Sequence, residues 1–390
     1  MTGNFRAYTA GETFSRVSPY FARLGITRVG RQTGLDRIGI PVWSAYAPNS
    51  RAIVIAQGKG LDDASAKTSA AMEAIERSVA TQPVCPRLMA SRHDLAARGH
   101  ASDCLDGLLA IGAQPIDASE QIEWAEARDL TGIASVFVPF DAIHLDRTDA
   151  GPRFWVSSDG LASGNTWEEA ALHGLLERVE RDACVLWDVT EPRRRYARRI
   201  DPGSIEDDEI QEMLERIHSA DFDLALFDVT SDLAIASVAA LLRPKGNDAS
   251  LRYVDVTLGA GTSLYPHVAA GRAISEAAQS RMTFIAGARD DLAPHLFSRR
   301  ADPAILQSFN AAYTVRLGEL PVMPAQSAKD ALTCVVRHLA ERGVGQLYAI
   351  EMAPEWLPAS VVKVFAPQLE HPDGDRRIRF GSRAMSKAFL

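Results

Sequence analysis

Acidic side chains follow one line along residues 157–183, a stretch that reads SSDGLASGNTWEEAALHGLLERVERDA. Its second half has the periodicity of an amphipathic helix, with leucines forming the apolar stripe. The polar residues beside that stripe, at i, i+4, i+8 and i+11, are Glu169, His173, Glu177 and Glu180. Carboxylates at the edge of a core are costly unless a cation lies among them, so this line favours a cation-binding site.

Two other stretches repeat part of this spacing. The residues at i, i+4 and i+7 are Ser69, Glu73 and Glu76 in AKTSAAMEAIERSVA, and Arg272, Glu276 and Gln279 in AAGRAISEAAQSRM. A single helix of this kind is typical of a solvated face with intrahelical ion pairs. Because three of them each follow a glycine-containing segment, we interpret them as three walls of one site.

Several carboxylates on facing helices suit Mg²⁺, which takes oxygen ligands and usually carries substrate phosphates. Zinc is a poorer match, because His173 is the imidazole near these acids and no cysteine lies at ligand spacing. Basic residues available to neutralise phosphate in the same stretches are Lys59, Arg77, Arg181, Arg272 and Arg281. The pattern GxxxxGK[ST] is absent, which excludes a standard P-loop. An enzyme of polyphosphate or prenyl diphosphate fits these residues nearly as well, although DDxxD is absent.

Strands alternate with long helices around these residues, which predicts an α/β fold, with α+β and mixed sheets left open. Strands are expected at 52–56, 122–129, 134–140, 224–229, 234–242, 251–258, 346–352 and 361–365. Besides the helix of the 157–183 stretch, helices are expected at 12–24, 62–80, 94–98, 103–111, 205–220, 268–285 and 328–342. The segment 25–43 is predicted as a loop and GAGTS as a glycine-rich turn.

Composition limits the class of protein. The 390 residues are 46% hydrophobic and 24% charged, which is ordinary for a soluble globular protein. A formal net charge of -8 argues against non-specific binding to nucleic acid or to an anionic membrane. The N-terminus is polar, no long apolar run is present, and the four cysteines form no CxxC pair. We therefore expect a cytoplasmic protein with reduced thiols, without a signal peptide or membrane span.

Four strings carry a resemblance to a known family. They are GITRVGRQTGLDRIGIPVW, GKGLDDASAKTSAAMEAIER, SSDGLASGNTWEEAALHGLLERVERDA and ISEAAQSRMTFIAGARDDL, and in this order they resemble the YcaO family. The resemblance implies a YcaO-type fold over residues 1–390, as a single catalytic domain with lobes near 1–82, 83–150, 151–300 and 301–390. It also implies use of ATP and Mg²⁺ to phosphorylate a backbone amide oxygen of a peptide, after which a neighbouring Cys, Ser or Thr or an external sulfur donor attacks.

The resemblance also assigns roles to residues of this chain. It implies magnesium binding by Glu73, Glu76, Glu177 and Glu180, with Glu169 as a weaker addition. It implies nucleotide binding by Ser69, Asn165, Arg181, Glu276, Gln279 and Arg281, with the lead from Arg6 to Thr13 closing over the nucleotide. Lys59, between two glycines, is predicted to contact phosphate. Asn165 fits a helix cap as well as a nucleotide contact, and His173 fits simple packing better than a ligand role.

The ends of the chain bear on which member of the family it resembles. Azoline-forming members typically end in a PxPxP tail, whereas this sequence ends in AMSKAFL. Stand-alone members without that tail resemble those paired with TfuA proteins, which are thought to deliver sulfide. The resemblance therefore favours peptide thioamidation with a TfuA-like partner, and azoline cyclodehydration is the alternative. A catalytically idle ATP-binding regulator is a further alternative, and a homodimer is expected on general grounds.

Overall fold

The structure is a computed structural model that describes residues 5–389 except 133, 150, 156, 247, 288, 290–291 and 372–379. The end of the ISEAAQSRMTFIAGARDDL motif and part of the basic tail therefore lie outside the described residues. The described residues contain no helix with the length and apolarity that a membrane crossing needs.

Helices and strands alternate through this range. The α-helices are α1 Ala10–Val17, α2 Asp63–Ala80, α3 Arg92–Ala97, α4 Trp167–Asp188, α5 Pro192–Arg195, α6 Asp208–Ser219, α7 Pro266–Ala286, α8 Pro303–Ser308, α9 Ala328–Glu341 and α10 Ser382–Ala388. The strands are β1 Arg28–Arg31, β2 Val42–Tyr46, β3 Ile55–Lys59, β4 Arg87–Ala90, β5 Ala101–Ser102, β6 Ile122–Asp129, β7 Ser135–Pro139, β8 Leu161–Gly164, β9 Arg199–Ile200, β10 Phe222–Asp228, β11 Ser237–Pro244, β12 Thr257–Thr262, β13 Tyr313–Val315, β14 Tyr348–Glu351 and β15 Ser360–Phe365.

The strands form three sheets. Their orders are β1-β2-β3, β12-β11-β10-β9-β13 and β5-β7-β6-β14-β15-β8, and β4 also pairs with β6. The pairs that lie next to the site, β2 with β3, β11 with β12 and β15 with β8, are all antiparallel. In each sheet the strand at one end of the order, β3, β12 or β8, runs into a long helix, α2, α7 or α4. The molecule therefore contains three strand–helix units, one for each sheet.

Glycines on the three end strands let the helices lie unusually close. A Cβ at Gly58 of β3 would lie 2.0 Å from the backbone nitrogen of Ala70 in α2. A Cβ at Gly164 of β8 would lie 2.6 Å from the backbone nitrogen of Ala170 in α4. A Cβ at Gly261 of β12 would lie 2.2 Å from a backbone carbonyl oxygen of α7. No side chain fits in these gaps, so glycine is required by close packing.

The helix starts are fixed by local hydrogen bonds. Asp62 caps α2 through the N–H of Ser65, and Thr166 caps α4 through the N–H of Glu169. α7 begins with Pro266, which suits a first helical position because it has no N–H to satisfy. Of the two roles considered for Asn165, the helix cap is taken by the next residue, because the Thr166 hydroxyl caps α4.

The predicted α/β class is confirmed, and the misplaced elements have physical explanations. GAGTS was predicted as a turn, but its first four residues complete β12, because their glycines face a helix rather than a bend. The segment 25–43 was predicted as a loop, yet it contains β1 and the start of β2. The predicted helix 12–24 ends at Val17 and continues as two 3₁₀ turns. The predicted helix 103–111 is a single 3₁₀ turn, Asp106–Leu108.

Candidate functional site

The three strand–helix units are joined in a closed ring by side chains that cross from one unit to the next. The Ser163 hydroxyl of β8 donates to Glu76 of α2 at 2.6 Å. The backbone N–H of Thr262, in β12, donates to Glu180 of α4 at 3.0 Å. Gln279 of α7 donates its side-chain N–H to a backbone carbonyl of β3 at 2.5 Å. Each contact uses the second residue of one of the repeated pairs: Glu76, Glu180 or Gln279. The common spacing therefore places the three pairs around one centre.

The α2 wall holds two acids in different surroundings. Glu73 accepts a backbone N–H from β3 at 3.1 Å and is paired with Arg77 one turn later. Burial raises the pKa of Glu76 to about 8, against the effect of the Ser163 hydroxyl. The neighbouring charges of Glu73 and Glu177 raise that pKa further. Glu76 is therefore largely protonated at neutral pH unless a cation arrives beside it.

The α4 wall gathers three carboxylates around the guanidinium of Arg181. Burial raises the pKa of Glu177 to about 7, although Arg181 acts in the opposite direction. The Arg181 guanidinium lies 3.4 Å from Glu177, 3.7 Å from Asp159 and 3.9 Å from Glu180. These distances are long for strong charge-assisted hydrogen bonds, because one guanidinium is shared by three acids. Among the described residues, Glu177 therefore has only one weak ionic contact, and a bound cation would stabilise its charged form.

The α7 wall supplies the basic side of the cluster. Glu276 forms an ion pair with Lys59 of β3. Burial alone would raise the pKa of Glu276, but Lys59 and Arg181 hold that pKa below its usual value. Arg272, one turn before Glu276, donates to Nε2 of His173 on α4 at 3.0 Å. Burial, with Arg272 nearby, lowers the pKa of His173 well below its ordinary value, so the imidazole is neutral. Lys59 and Arg272 thus place positive charge next to the acids.

The N-terminal segment is tied to the start of α4 by Glu169. One Glu169 oxygen accepts the backbone N–H of Ala7 at 2.6 Å. The other accepts the backbone and side-chain N–H groups of Asn165 at 3.0 and 3.1 Å and lies 3.3 Å from Arg6. Thr13 of α1 donates its hydroxyl to Asn165 at 2.8 Å. Both Glu169 oxygens therefore already have donors, in contrast to what a free metal ligand requires.

Arg281 and Ser69, both predicted to bind nucleotide, differ in where they lie. The Arg281 guanidinium donates to Asp36 at 3.1 Å and lies over the ring of Phe222, 4.6 Å from its centroid. Arg281 is two residues beyond Gln279 on α7, so the helix turns it to another face. Ser69 is half-buried on α2, one turn before Glu73, and faces the same line as the acids. The structure thus keeps Ser69 beside the cluster and places Arg281 away from it.

Three further residues belong to the cluster although their roles were not predicted from the sequence. Asp159 precedes β8 and contacts Arg181, and Arg178 lies 3.9 Å from the same carboxylate while donating to a backbone carbonyl at 2.7 Å. Lys363 of β15 donates to two backbone carbonyls just before β8, each at 2.7 Å. The available signal was a single charged residue within an otherwise apolar strand, SVVKVF.

The donor set fits a hard divalent cation. Among the described residues, no three His, Cys, Asp or Glu side chains are already drawn together around a common metal position. The side chains that line the centre nevertheless offer carboxylate oxygens, and burial raises the pKa of both Glu76 and Glu177. Buried carboxylates without enough cationic partners favour an added cation, and oxygen ligands are those that Mg²⁺ prefers.

Comparison with known proteins gives this arrangement a class and then a family. A family model described as "YcaO cyclodehydratase, ATP-ad Mg2+-binding" matches residues 57–370, most of the chain. The match places the protein among ATP- and Mg²⁺-binding enzymes that modify peptides. The chain belongs to the YcaO family, as its four sequence strings predict.

Relatives match along almost the whole chain. A protein of Rhizobium leguminosarum bv. trifolii, described as an uncharacterized protein in the tfuA 3′ region, is 39% identical over 98% of this chain and 92% of its own length. An uncharacterized protein of Methanothermobacter thermautotrophicus is 35% identical over 94% of this chain and 95% of its own length.

Solved structures share the fold. A heterocyclase in complex with substrate and cofactor superposes with a TM-score of 0.77 at 22% identity, over 95% of this chain and 53% of that one. The YcaO protein of Methanopyrus kandleri, bound with AMPPCP and Mg²⁺, superposes with a TM-score of 0.73 at 23% identity, over 94% of this chain and 93% of that one. At these identities the comparison concerns the fold alone.

Proposed function

We propose that the protein uses ATP and Mg²⁺ to activate a backbone amide of a peptide and then converts it to a thioamide with a TfuA-like sulfur-delivery partner. The family supports the ATP-dependent step. The relative in the tfuA 3′ region, which aligns over 98% of this chain, supports the sulfur step and the partner. The observation in this chain that supports the proposal is a pair of half-buried acids, Glu76 and Glu177, whose pKa values are raised and which lie near basic residues.

The residues divide into two groups by charge. Glu76 and Glu177 would hold Mg²⁺, which when bound supplies charge neutralisation for the ATP phosphates. Glu73 and Glu180 would join them by exchanging N–H contacts that they now accept for the metal. Lys59 and Arg181 would contact the phosphates, and Ser69, Asn165, Glu276 and Gln279 would hold the rest of the nucleotide. Glu169, Arg6 and Thr13 would act through the N-terminal segment, which they tie over the start of α4.

The proposed chemistry needs positioning and charge compensation rather than a nucleophilic side chain. The amide oxygen attacks the terminal phosphorus of ATP, the bond from that phosphorus to ADP breaks, and an O-phosphorylated amide forms. Sulfide then adds to the amide carbon, and the carbon–oxygen bond breaks to release inorganic phosphate. A thioamide carbon–sulfur bond remains, and the proton of the sulfur donor passes to solvent.

The test is reconstitution of the purified chain with a TfuA-like protein, a sulfide source and a short peptide encoded beside the gene. Mass spectrometry is expected to show exchange of one oxygen for one sulfur, together with ADP formed in equal amount. Glu177→Gln, which removes one of the proposed metal ligands, is the matched inactive control. ATP turnover without any change in peptide mass would contradict the proposed reaction.

The family description as a cyclodehydratase favours azoline formation as the second candidate. In that case Cys, Ser or Thr of the peptide attacks the activated amide, and the peptide loses one water without needing sulfide or a partner. Tight nucleotide binding with no turnover under any condition would instead indicate a regulator that senses ATP. We further propose that residues 1–390 form one catalytic unit that assembles as a homodimer, which sedimentation of the purified protein would check.

A further inference from the structure

A buried lysine stands beside the cluster without belonging to either proposed group. Lys363 lies on β15 and is only 6% exposed, and its neighbours on that strand are valines and Phe365. Its ammonium donates to the backbone carbonyls of Ser157 and Asp159, each at 2.7 Å. Burying an ammonium is costly, so an apolar side chain would fill this place more cheaply unless those two bonds serve a purpose.

The carbonyls that Lys363 binds belong to the end of a long connection. Residues 143–160 join the 3₁₀ turn Phe140–Ala142 to β8 and contain no helix or strand among the described residues. Connections of this length are mobile unless they are tied down, and they often carry functional groups. The chain enters β8 through Gly160, at φ +75°, where a Cβ would lie 2.3 Å from a backbone oxygen of β15. Lys363 therefore anchors the connection where it reaches the site.

The anchored segment carries Asp159, which orients a guanidinium of the site. Its carboxylate lies 3.7 Å from Arg181 and 3.9 Å from Arg178. Burial alone would raise the pKa of Asp159, but these two guanidinium groups and Lys363 hold that pKa below its usual value. The carboxylate is therefore charged. Arg178 is itself fixed by a 2.7 Å hydrogen bond to the carbonyl of Glu370. Asp159 therefore limits where Arg181 can point among the carboxylates.

We propose that Lys363 is a positioning residue: by clamping the backbone of Ser157 and Asp159, it sets Arg181 to meet the phosphates of the nucleotide. This inference rests on the proposed function, because it takes the site to be one for ATP. Lys363 acts through Asp159 and Arg181 and touches no substrate. Its loss therefore weakens the binding of a triphosphate more than the binding of a nucleotide with a single phosphate.

The experiment compares two ligands on the full chain. Calorimetry with Mg²⁺ measures the Kd of AMPPCP and the Kd of AMP for wild type, Lys363→Met and Lys363→Arg. The methionine variant is expected to bind AMPPCP about ten-fold more weakly, the size of one lost charge-assisted contact, with AMP changed by less than about two-fold. The arginine variant keeps N–H donors for both carbonyls and recovers most of the AMPPCP affinity.

Asp159→Asn tests the same contacts, from Lys363 through Asp159 to Arg181, without removing the lysine. It tests the positioning role if Lys363→Met does not fold. It is expected to reproduce the selective loss of AMPPCP binding. Unchanged AMPPCP affinity in the folded variants overturns the inference, and so does an equal loss for AMPPCP and AMP, which would mean that Lys363 only supports the fold. Wild-type protein that binds neither nucleotide overturns the proposed function itself, and that outcome is distinct from a loss seen only in the variants.

Discussion

Two glutamates on α4, two turns apart on the same line, have opposite surroundings. Glu169 accepts four N–H groups on its two oxygens, one of them from Arg6, and joins the N-terminal segment to the start of the helix. Glu177 shares a single Arg181 with two other acids, and burial raises its pKa to about 7. The spacing of these residues is the same, so their roles are decided by what surrounds them.

The contrast separates an acid that serves the structure from one that awaits a ligand. A carboxylate whose oxygens already accept hydrogen bonds gains little from a cation, and moving it would leave those donors unsatisfied. A carboxylate that is buried with too few donors gains from any cation that reaches it. On this reasoning we propose that Glu76 and Glu177 bind the metal and that Glu169 has a structural role.

The largest expected effect tests whether Glu177 is a metal ligand. Glu177→Gln removes a metal-binding oxygen and a charge, so Mg²⁺-dependent binding of AMPPCP should weaken by about 100-fold or more. Thermal stability at pH 8 should be unchanged or higher, because a poorly paired buried charge is gone. Calorimetry and thermal unfolding measure both quantities. Glu215→Gln on α6, where the glutamate is exposed, is the matched control and should change neither.

If Glu169 has a structural role, Glu169→Gln should lower stability more, and AMPPCP affinity less, than Glu177→Gln does. The amide cannot accept from every donor that Glu169 now satisfies, so the free energy of unfolding should fall by about 1–3 kcal/mol. The N-terminal segment should also become more sensitive to trypsin. AMPPCP affinity should fall less than in Glu177→Gln, about ten-fold, because the nucleotide loses only the cover of that segment. If stability stays at the wild-type value while Mg²⁺ binding is lost, Glu169 is a metal ligand after all.

The pH dependence of stability follows from the raised pKa values of Glu76 and Glu177, about 8 and 7 against an ordinary 4.5. Between those values the folded protein holds protons that the unfolded chain has released, so stability falls as pH rises. Without Mg²⁺ we expect a loss of about 1 kcal/mol between pH 7 and pH 8, measured by urea unfolding.

Addition of Mg²⁺ with AMPPCP should flatten this slope and add about 2.7 kcal/mol at a ligand concentration roughly 100 times the Kd. The slope should also become smaller in a Glu76→Gln, Glu177→Gln double variant, since neither amide titrates. A wild-type slope of the opposite sign over this range would show that the two acids are already charged in the free protein.

The smallest effect is expected at Arg281, which lies on another face of α7. Arg281→Ala should leave the AMPPCP Kd within about two-fold of wild type and cost about 1 kcal/mol of stability, because Asp36 loses its partner. Arg181→Ala is the matched comparison, and it should weaken AMPPCP binding by about ten-fold or more. Similar losses in both variants would return Arg281 to the nucleotide site.

The long helices and the convergence of their acids were accessible from the sequence. The apolar stripe of α4 is strong enough to predict its helix, and the repeated acid spacing indicates that α2, α4 and α7 share a face. The placement of Glu169 was not accessible, because two of its donors come from Arg6 and Ala7, more than 160 residues away in sequence. Spacing alone cannot tell a satisfied acid from an unsatisfied one.

The strands were harder to predict where glycine is present for packing. In β12 the glycines of LGAGT suggest a bend, whereas they mark the face on which α7 lies. No role was predicted for Lys363, because its burial depends on carbonyls from the connection that precedes β8. In both cases tertiary contact decides against the local preference.

The ring of side chains that links the three strand–helix units has a consequence for the order of folding. Its contacts join residues far apart in sequence: Glu76 and Ser163 are separated by 87 positions, Gln57 and Gln279 by 222. Closing loops of this length is entropically costly and slow. In refolding experiments helical circular dichroism should therefore recover before nucleotide affinity does. A chain stopped after α4 would contain most of the acids and still have no complete site, so the ability to bind ATP reports that synthesis and folding are finished.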